Sequence, residues 1–190
     1  MSILLSMSLG ATLLFVLPLF GVFTGQNAVD YYAEVHTTAL NSYCHTIGMP
    51  FTIYGMLLWI PMLAKRSWPK YNHIQDCLYA MYMGHYICID PRIGFLTALV
   101  YSVPLYYAKK NVRIQFSQFD YLMLDLPVEH IKGYDYQRVR MFVKGACIST
   151  IALVFQELVG HWLSGDPGSR IEGIPNAIMY AMYYSVSHIC

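Results

Sequence analysis

A chain of 190 residues that is 56% hydrophobic and only 12% charged, with a mean hydropathy of +0.41, is too apolar for an ordinary soluble domain. Its formal net charge of +1 excludes a basic nucleic-acid surface, and an aromatic content of 15% suits a lipid interface better than a phosphate groove. The composition reads as a single membrane domain over residues 1–190, an all-α polytopic bundle of about five or six hydrophobic helices, one of them short or re-entrant.

Residues 3–23, ILLSMSLGATLLFVLPLFGVF, carry no charge, and at about 1.5 Å per residue they cross a hydrocarbon core of roughly 30 Å. No Lys or Arg precedes them and no small-x-small cleavage site follows. Residues 1–24 therefore read as a retained N-terminal helix rather than a signal peptide. Further apolar stretches at 47–64, 77–89, 93–108, 145–163 and 174–190 all read as helices. The 77–89 stretch is below spanning length, which predicts a tilted or re-entrant helix. Pro18, Pro61 and Pro104 are expected kinks. Residues 111–137 are more polar and contain Pro127 and Gly133, so they read as an inserted loop or surface excursion with His130 exposed.

Basic residues cluster as Lys65, Arg66 and Lys70, then Lys109, Lys110 and Arg113, then Lys132, Arg138, Arg140 and Lys144. They mark one side, by rule the cytoplasmic one. If each segment crosses once, loops 24–46, 90–92 and 164–173 share the opposite face, which carries His36, Asn41, His45, Asp90, His161 and Glu172. Cys44, Cys77, Cys88, Cys147 and Cys190 have no CxxC spacing and read as small buried hydrophobes.

Histidine at membrane depth is costly unless paired, solvated or metal-bound, and neutral imidazole is a common metal ligand. In HTTALNSYCHTIGMP, residues 36–50, Asn41 and His45 share a helix face, whereas His36 and His45 would point oppositely on one straight helix. For both to meet one ion, the chain must bend between them. Gly48 and Pro50 then mark the entry to the second segment. In VFQELVGHWL, Glu157 and His161 stand one helical turn apart, as a ligand and its supporting carboxylate would. His85 is a weaker candidate, and His73 and His188 read as interfacial or packing residues. This pattern fits a metal site, or the commoner arrangement of hydrogen-bonded histidines in a polar loop. HExxH, GxSxG, Walker and GxGxxG motifs are absent, as are the HxxxH and HxxHH boxes of membrane di-iron enzymes.

The stretch from His36 through Asn41, His45, Gly48 and Pro50 resembles the H-x4-N-x3-H-x2-G-x-P signature of the 2-hydroxy-palmitate dioxygenase family of small endoplasmic-reticulum membrane proteins. ICIDPRIGFLTAL is similar to that family's Leu-Asp-x-x-x-Gly segment, with Asp90 and Gly94 in place, and FQELVGH resembles its F-Q-x-x-G-H motif. Residues 31–110 and 138–178 are the family-like core. The resemblance implies an Fe2+-dependent dioxygenase that shortens long-chain 2-hydroxy fatty acids by one carbon with O2, in membrane lipid and sphingolipid breakdown. It implies His36, His45 and His161 as iron ligands, with Asn41 orienting them. The family follows its Gly-His pair by Glu and Pro; here Asp166 or Glu172 precedes Pro175, and Glu157 and His85 are further candidates to complete the site. The competing expectations are a non-enzymatic membrane lipid-binding or assembly protein with a degenerate site, and a metal-dependent lipid hydrolase.

Overall fold

The computed structural model describes residues 3–22, 26–63, 68–120, 129–168 and 174–187, and among these it contains seven α-helices and no strand. In chain order they are α1 (Ile3–Val16), α2 (Gln26–Val35), α3 (Ala39–Trp59), α4 (Trp68–Ile89), α5 (Pro91–Asp120), α6 (Glu129–Phe155) and α7 (Ile174–Ser187). A 3-10 turn, Leu17–Phe20, continues α1, and Gly21 stops it in the left-handed region at φ 72°. A second 3-10 turn, Ile60–Leu63, continues α3, and a π-helical turn, Gln156–Trp162, continues α6. Three of these runs are long and apolar enough to cross a membrane: Ile3–Phe20, Ala39–Leu63 and Asp135–Trp162. Large apolar side chains cover their outer faces, among them Leu4, Phe15 and Ile151, each more than two-thirds exposed.

Several expected boundaries move, each for a physical reason. The segment 24–46 is not a loop, because α2 occupies 26–35 and Thr38 caps α3 by accepting from Asn41 N at 3.3 Å. Pro50 consequently lies inside α3 rather than at its entry. The short stretch 77–89 is the apolar half of the 22-residue α4, whose first turns are polar. Residues 111–120 continue α5 and 129–137 open α6, so most of the expected excursion is helix. Its polar composition hides an i, i+4 stripe, Ala108, Val112 and Phe116, buried against Tyr71 and Met141. Cys44 is buried and Cys77 half-buried, but Cys88 and Cys147 are exposed on outward faces of α4 and α6, against the expectation of burial. His73 is exposed near the start of α4. Cys190, His188, Glu172 and the His130 side chain lie outside what is described.

Small residues set the helix crossings. A Cβ on Gly55 would lie 2.6 Å from Gly145 O and from Ser149 N, so α3 and α6 meet backbone to backbone. Gly10 on α1 meets the Met81 carbonyl of α4 in the same way. Pro61 has no N–H to offer the Leu57 carbonyl four residues back, and Gln75 of α4 donates to it instead at 2.7 Å. Pro18 likewise falls within a 3-10 turn, whereas Pro104 sits inside a continuous α5. Lys109 of α5 pairs with Asp76 of α4 at 2.8 Å.

Two cores result. One joins α3, α5 and α6 around Leu58, Val112 and Met141. The other is tyrosine-rich and joins α2, α4, α5 and α7 around Tyr32, Tyr86, Tyr101 and Tyr184. The two share Ile53, and the histidines stand beside the tyrosine-rich one, with His36 against Tyr32 and Tyr184.

Candidate metal centre

His36 lies immediately after α2 and before the Thr38 cap of α3, in the break that the nine-residue spacing to His45 demands. His45 is in the second turn of α3, and His161 is in the π-turn that ends α6. The three imidazoles are buried, at 6%, 9% and 1% exposure, and each offers a ligand nitrogen within 4.8 Å of the others. Ring centroids are 4.4 Å apart for His36 and His45, 4.9 Å for His36 and His161, and 5.2 Å for His45 and His161. Nε2 of His45 and Nε2 of His161 are 3.2 Å apart. Two nitrogens at that spacing, each about 2.1 Å from one ion, subtend roughly 100°, between octahedral and tetrahedral values. One ion holds nitrogens no more than about 4.2 Å apart, so the third imidazole would close in by several tenths of an ångström.

Local partners orient each ring. Nδ1 of His36 donates to Tyr32 O at 2.9 Å, which puts the lone pair on Nε2, and the ring stacks on Tyr32. Asn41, fully buried, donates through Nδ2 to Asp166 Oδ2 at 2.9 Å, to Val35 O at 3.3 Å and to His161 Nδ1 at 3.2 Å. Two protons thus serve three acceptors. Asn41 Oδ1 is buried with no hydrogen-bond partner among the described residues. A metal on Nε2 of His161 would put the ring proton on Nδ1 and leave the two Asn41 protons to Asp166 and Val35. The donor set of three imidazoles fits a metal ion.

Asp166 is the carboxylate of the site. It accepts from Thr38 N at 3.1 Å, Thr38 Oγ1 at 2.9 Å and Thr37 Oγ1 as well as from Asn41, fastening the loop after the π-turn to the N-terminus of α3. Burial acts to raise its pKa, but the hydrogen bonds from Thr37, Asn41 and Thr38 outweigh it and hold the carboxyl well below its usual range. Because folding lowers this pKa, the carboxylate's contribution to stability is complete above about pH 4 and is lost only as pH falls through the depressed value. Asp166→Asn would place an amide donor against the donors of Thr38 or Asn41. We expect metal affinity about 10–100-fold weaker with helix content unchanged, read by metal titration and circular dichroism; wild-type affinity would show that Asp166 does not support the site.

Of the residues singled out by sequence, the structure brings together His36, Asn41, His45, His161 and Asp166. It leaves others apart. His85 is fully buried but packs elsewhere, with Gly10 O and Tyr180 Oη at 3.2 and 3.3 Å. Asp90 caps α5, accepting from Arg92 N at 2.8 Å and Ile93 N at 3.3 Å. No family model, curated protein or solved structure matches the chain.

The geometry adds residues that the motifs did not name and gives the motif residues Gln156 and Gly160 a packing role. Thr37 and Thr38 hold Asp166, and Tyr32 orients His36. Gln156 is buried against Gly48 and donates to Thr52 Oγ1 at 2.9 Å, locking the π-turn to α3. FQELVGH has one residue more between Gln and Gly-His than F-Q-x-x-G-H, and the wider π-turn, with Leu163 N bonded to Leu158 O, takes it up. Gly160 then packs against Asn41: a Cβ there would lie 2.7 Å from Oδ1. A cavity of about 670 Å³ opens at His36 and His45, and a second, beyond His161, reaches Asp166 and Trp162. Glu157 borders both.

Proposed function

We propose that the chain is an integral membrane protein of the endoplasmic reticulum and a non-haem iron(II) dioxygenase that shortens long-chain 2-hydroxy fatty acids by one carbon. The observation that carries this reading is the meeting of three buried imidazoles, from three separate elements, two of which, His36 and His45, line an apolar cavity. The ordered resemblance of the same residues to a dioxygenase family gives that meeting its chemistry. Three neutral nitrogen donors suit iron(II) and leave positions for other ligands. Bound iron would supply the activation of dioxygen and a chelating partner for the substrate's carboxylate and 2-hydroxyl.

The chain's own residues do the rest. The Tyr32 carbonyl fixes the tautomer of His36, and Asp166 holds Asn41 against His161. Overall, a 2-hydroxy acid and one O2 give the shortened acid, carbon dioxide and water: C2 rises to the acid level, C1 leaves as carbon dioxide, and O2 accepts all the electrons. No further reductant is needed.

The test is to purify the protein in detergent without oxygen, measure iron per chain, and supply 2-hydroxypalmitate with and without O2. About one iron per chain and oxygen-dependent formation of the acid one carbon shorter are expected. Turnover without oxygen, or no iron uptake, would sink the reading. Lipid binding without turnover in the iron-loaded protein would favour the lipid-binding alternative.

A further inference from the structure

The cavity at His36 and His45 is a groove between α3 and α4, whose backbones stay apart except near Leu57 and Gln75. α3 packs on α6 and α5, and α4 packs on α1 and α5, leaving a gap between α3 and α4 that α7 and α2 border. Its wall along α3 runs from His45 to Ile60, fifteen residues at about 1.5 Å, or roughly 22 Å. One leaflet of a ~30 Å hydrocarbon core is about 15 Å thick and is filled by common long acyl chains. The groove is therefore long enough for one such chain, and its volume of about 670 Å³ is that of a ligand pocket.

Polarity divides the lining. His36, His45, Thr52, Gln156 and Glu157 lie towards one end, and Ile53, Met56, Leu57, Ile60 and Leu78 line the remainder. Leu57 belongs both to the groove and to the core around Leu58 and Met62, so the groove stops where that core begins. Exposure locates the opening. Among the described residues that line it, the exposed ones are Leu153 on α6, at 45%, and Ile178 on α7, at 56%. Leu153 lies within the apolar run Asp135–Trp162, so the opening faces whatever surrounds that run.

We infer that this groove is a side-loading channel for a single unbranched acyl chain, entered between Leu153 and Ile178, with the polar head at the histidines and a length stop at Leu57, Ile60 and Leu78. The inference deepens the dioxygenase reading and takes its head-group end from it, but the channel is a binding site in its own right. Five methionines, Met49, Met56, Met81, Met83 and Met182, line it and give a wall that adapts to chain shape. Length, rather than shape, is what the stop reads.

The test measures binding, without added metal, of lauric, myristic, palmitic and stearic acids to the full-length protein in nanodiscs. Affinity should rise with length in the wild type. Ile60→Trp should weaken palmitic and stearic acids by at least about tenfold while lauric acid changes less than twofold, because each methylene denied burial costs roughly fourfold. Leu78→Phe, at a half-buried position on the other wall, should shift the profile the same way should the tryptophan variant fold poorly. Ile178→Trp should slow association about fivefold and leave the length profile intact. A flat wild-type profile, or equal weakening of all four acids in both stop variants, overturns the channel. Oxygen-dependent turnover of 2-hydroxypalmitate is read in parallel. A flat profile with turnover discards the channel and keeps the dioxygenase; a steep profile without turnover does the reverse.

Discussion

His161→Ala is expected to abolish metal-dependent stabilisation of the protein. A ligand that binds only the folded state at 100 times its Kd stabilises by about 2.7 kcal/mol, and a site reduced to two imidazoles should lose nearly all of that at the same metal concentration. Two effects of the substitution have to be separated. Removing the ring takes an acceptor from the buried Asn41 amide, worth about 1–3 kcal/mol. It also removes the nitrogen that stands 3.2 Å from Nε2 of His45. The first lowers the melting temperature of the metal-free protein; only the second erases the difference between metal-free and metal-loaded protein. His85→Ala is the matched control, since His85 is just as buried but contacts Gly10 O and Tyr180 Oη instead of the cluster. It should lower stability and keep the metal-induced shift. A full shift in His161→Ala would remove His161 from the ligand set, and with it the shared site.

The centre was more legible in the sequence than the frame around it. A nine-residue spacing on a helix sets two side chains on opposite faces, so a shared ion requires a bend between His36 and His45, and the break after Val35 supplies one. Grouping loops by the distribution of Lys and Arg brought residues 36–41 to residues 161–166, and the bonds from Thr37, Thr38 and Asn41 to Asp166 join those segments. Hydropathy misplaced helix ends because it reads average polarity, whereas helices such as α5 persist through polar sequence if one stripe stays buried, as Val112 and Phe116 are. It missed α2 for the same reason. The choice between Asp166 and Glu172 was left open although Asp166 stands directly before Pro167, and the loop's path, with Gly165 at φ 79°, brings the Asp166 carboxylate to Thr38. The π-turn left one trace in the sequence, the extra residue of FQELVGH over F-Q-x-x-G-H, which hydropathy does not register.

A second large effect is expected far from any ligand. Gly55→Leu should destroy metal binding although position 55 lies ten residues, or about 15 Å, along α3 from His45. At Gly55 even a methyl group would press within 2.6 Å of Gly145 O and Ser149 N, and backbone atoms cannot rotate aside. Gly55→Ala should therefore cost about 1–3 kcal/mol, exceeding the roughly 1 kcal/mol that alanine gains over glycine in a helix. A leucine must push α3 and α6 apart. His45 rides on α3, and His161 follows directly from α6, so separation of the pair opens the 3.2 Å gap between their Nε2 atoms. An ion can bridge nitrogens up to about 4.2 Å apart, so a further ångström or so is enough to lose it. Gly10→Leu tests whether this is coupling or general damage. Its Cβ would meet Met81 O at 2.0 Å, a harder clash, but it lies between α1 and α4, neither of which carries a ligand. That variant should be less stable and still bind metal with near-wild-type affinity. If both variants lose metal equally, the site depends on the whole bundle, and the α3–α6 crossing has no special claim to setting the distance between its histidines.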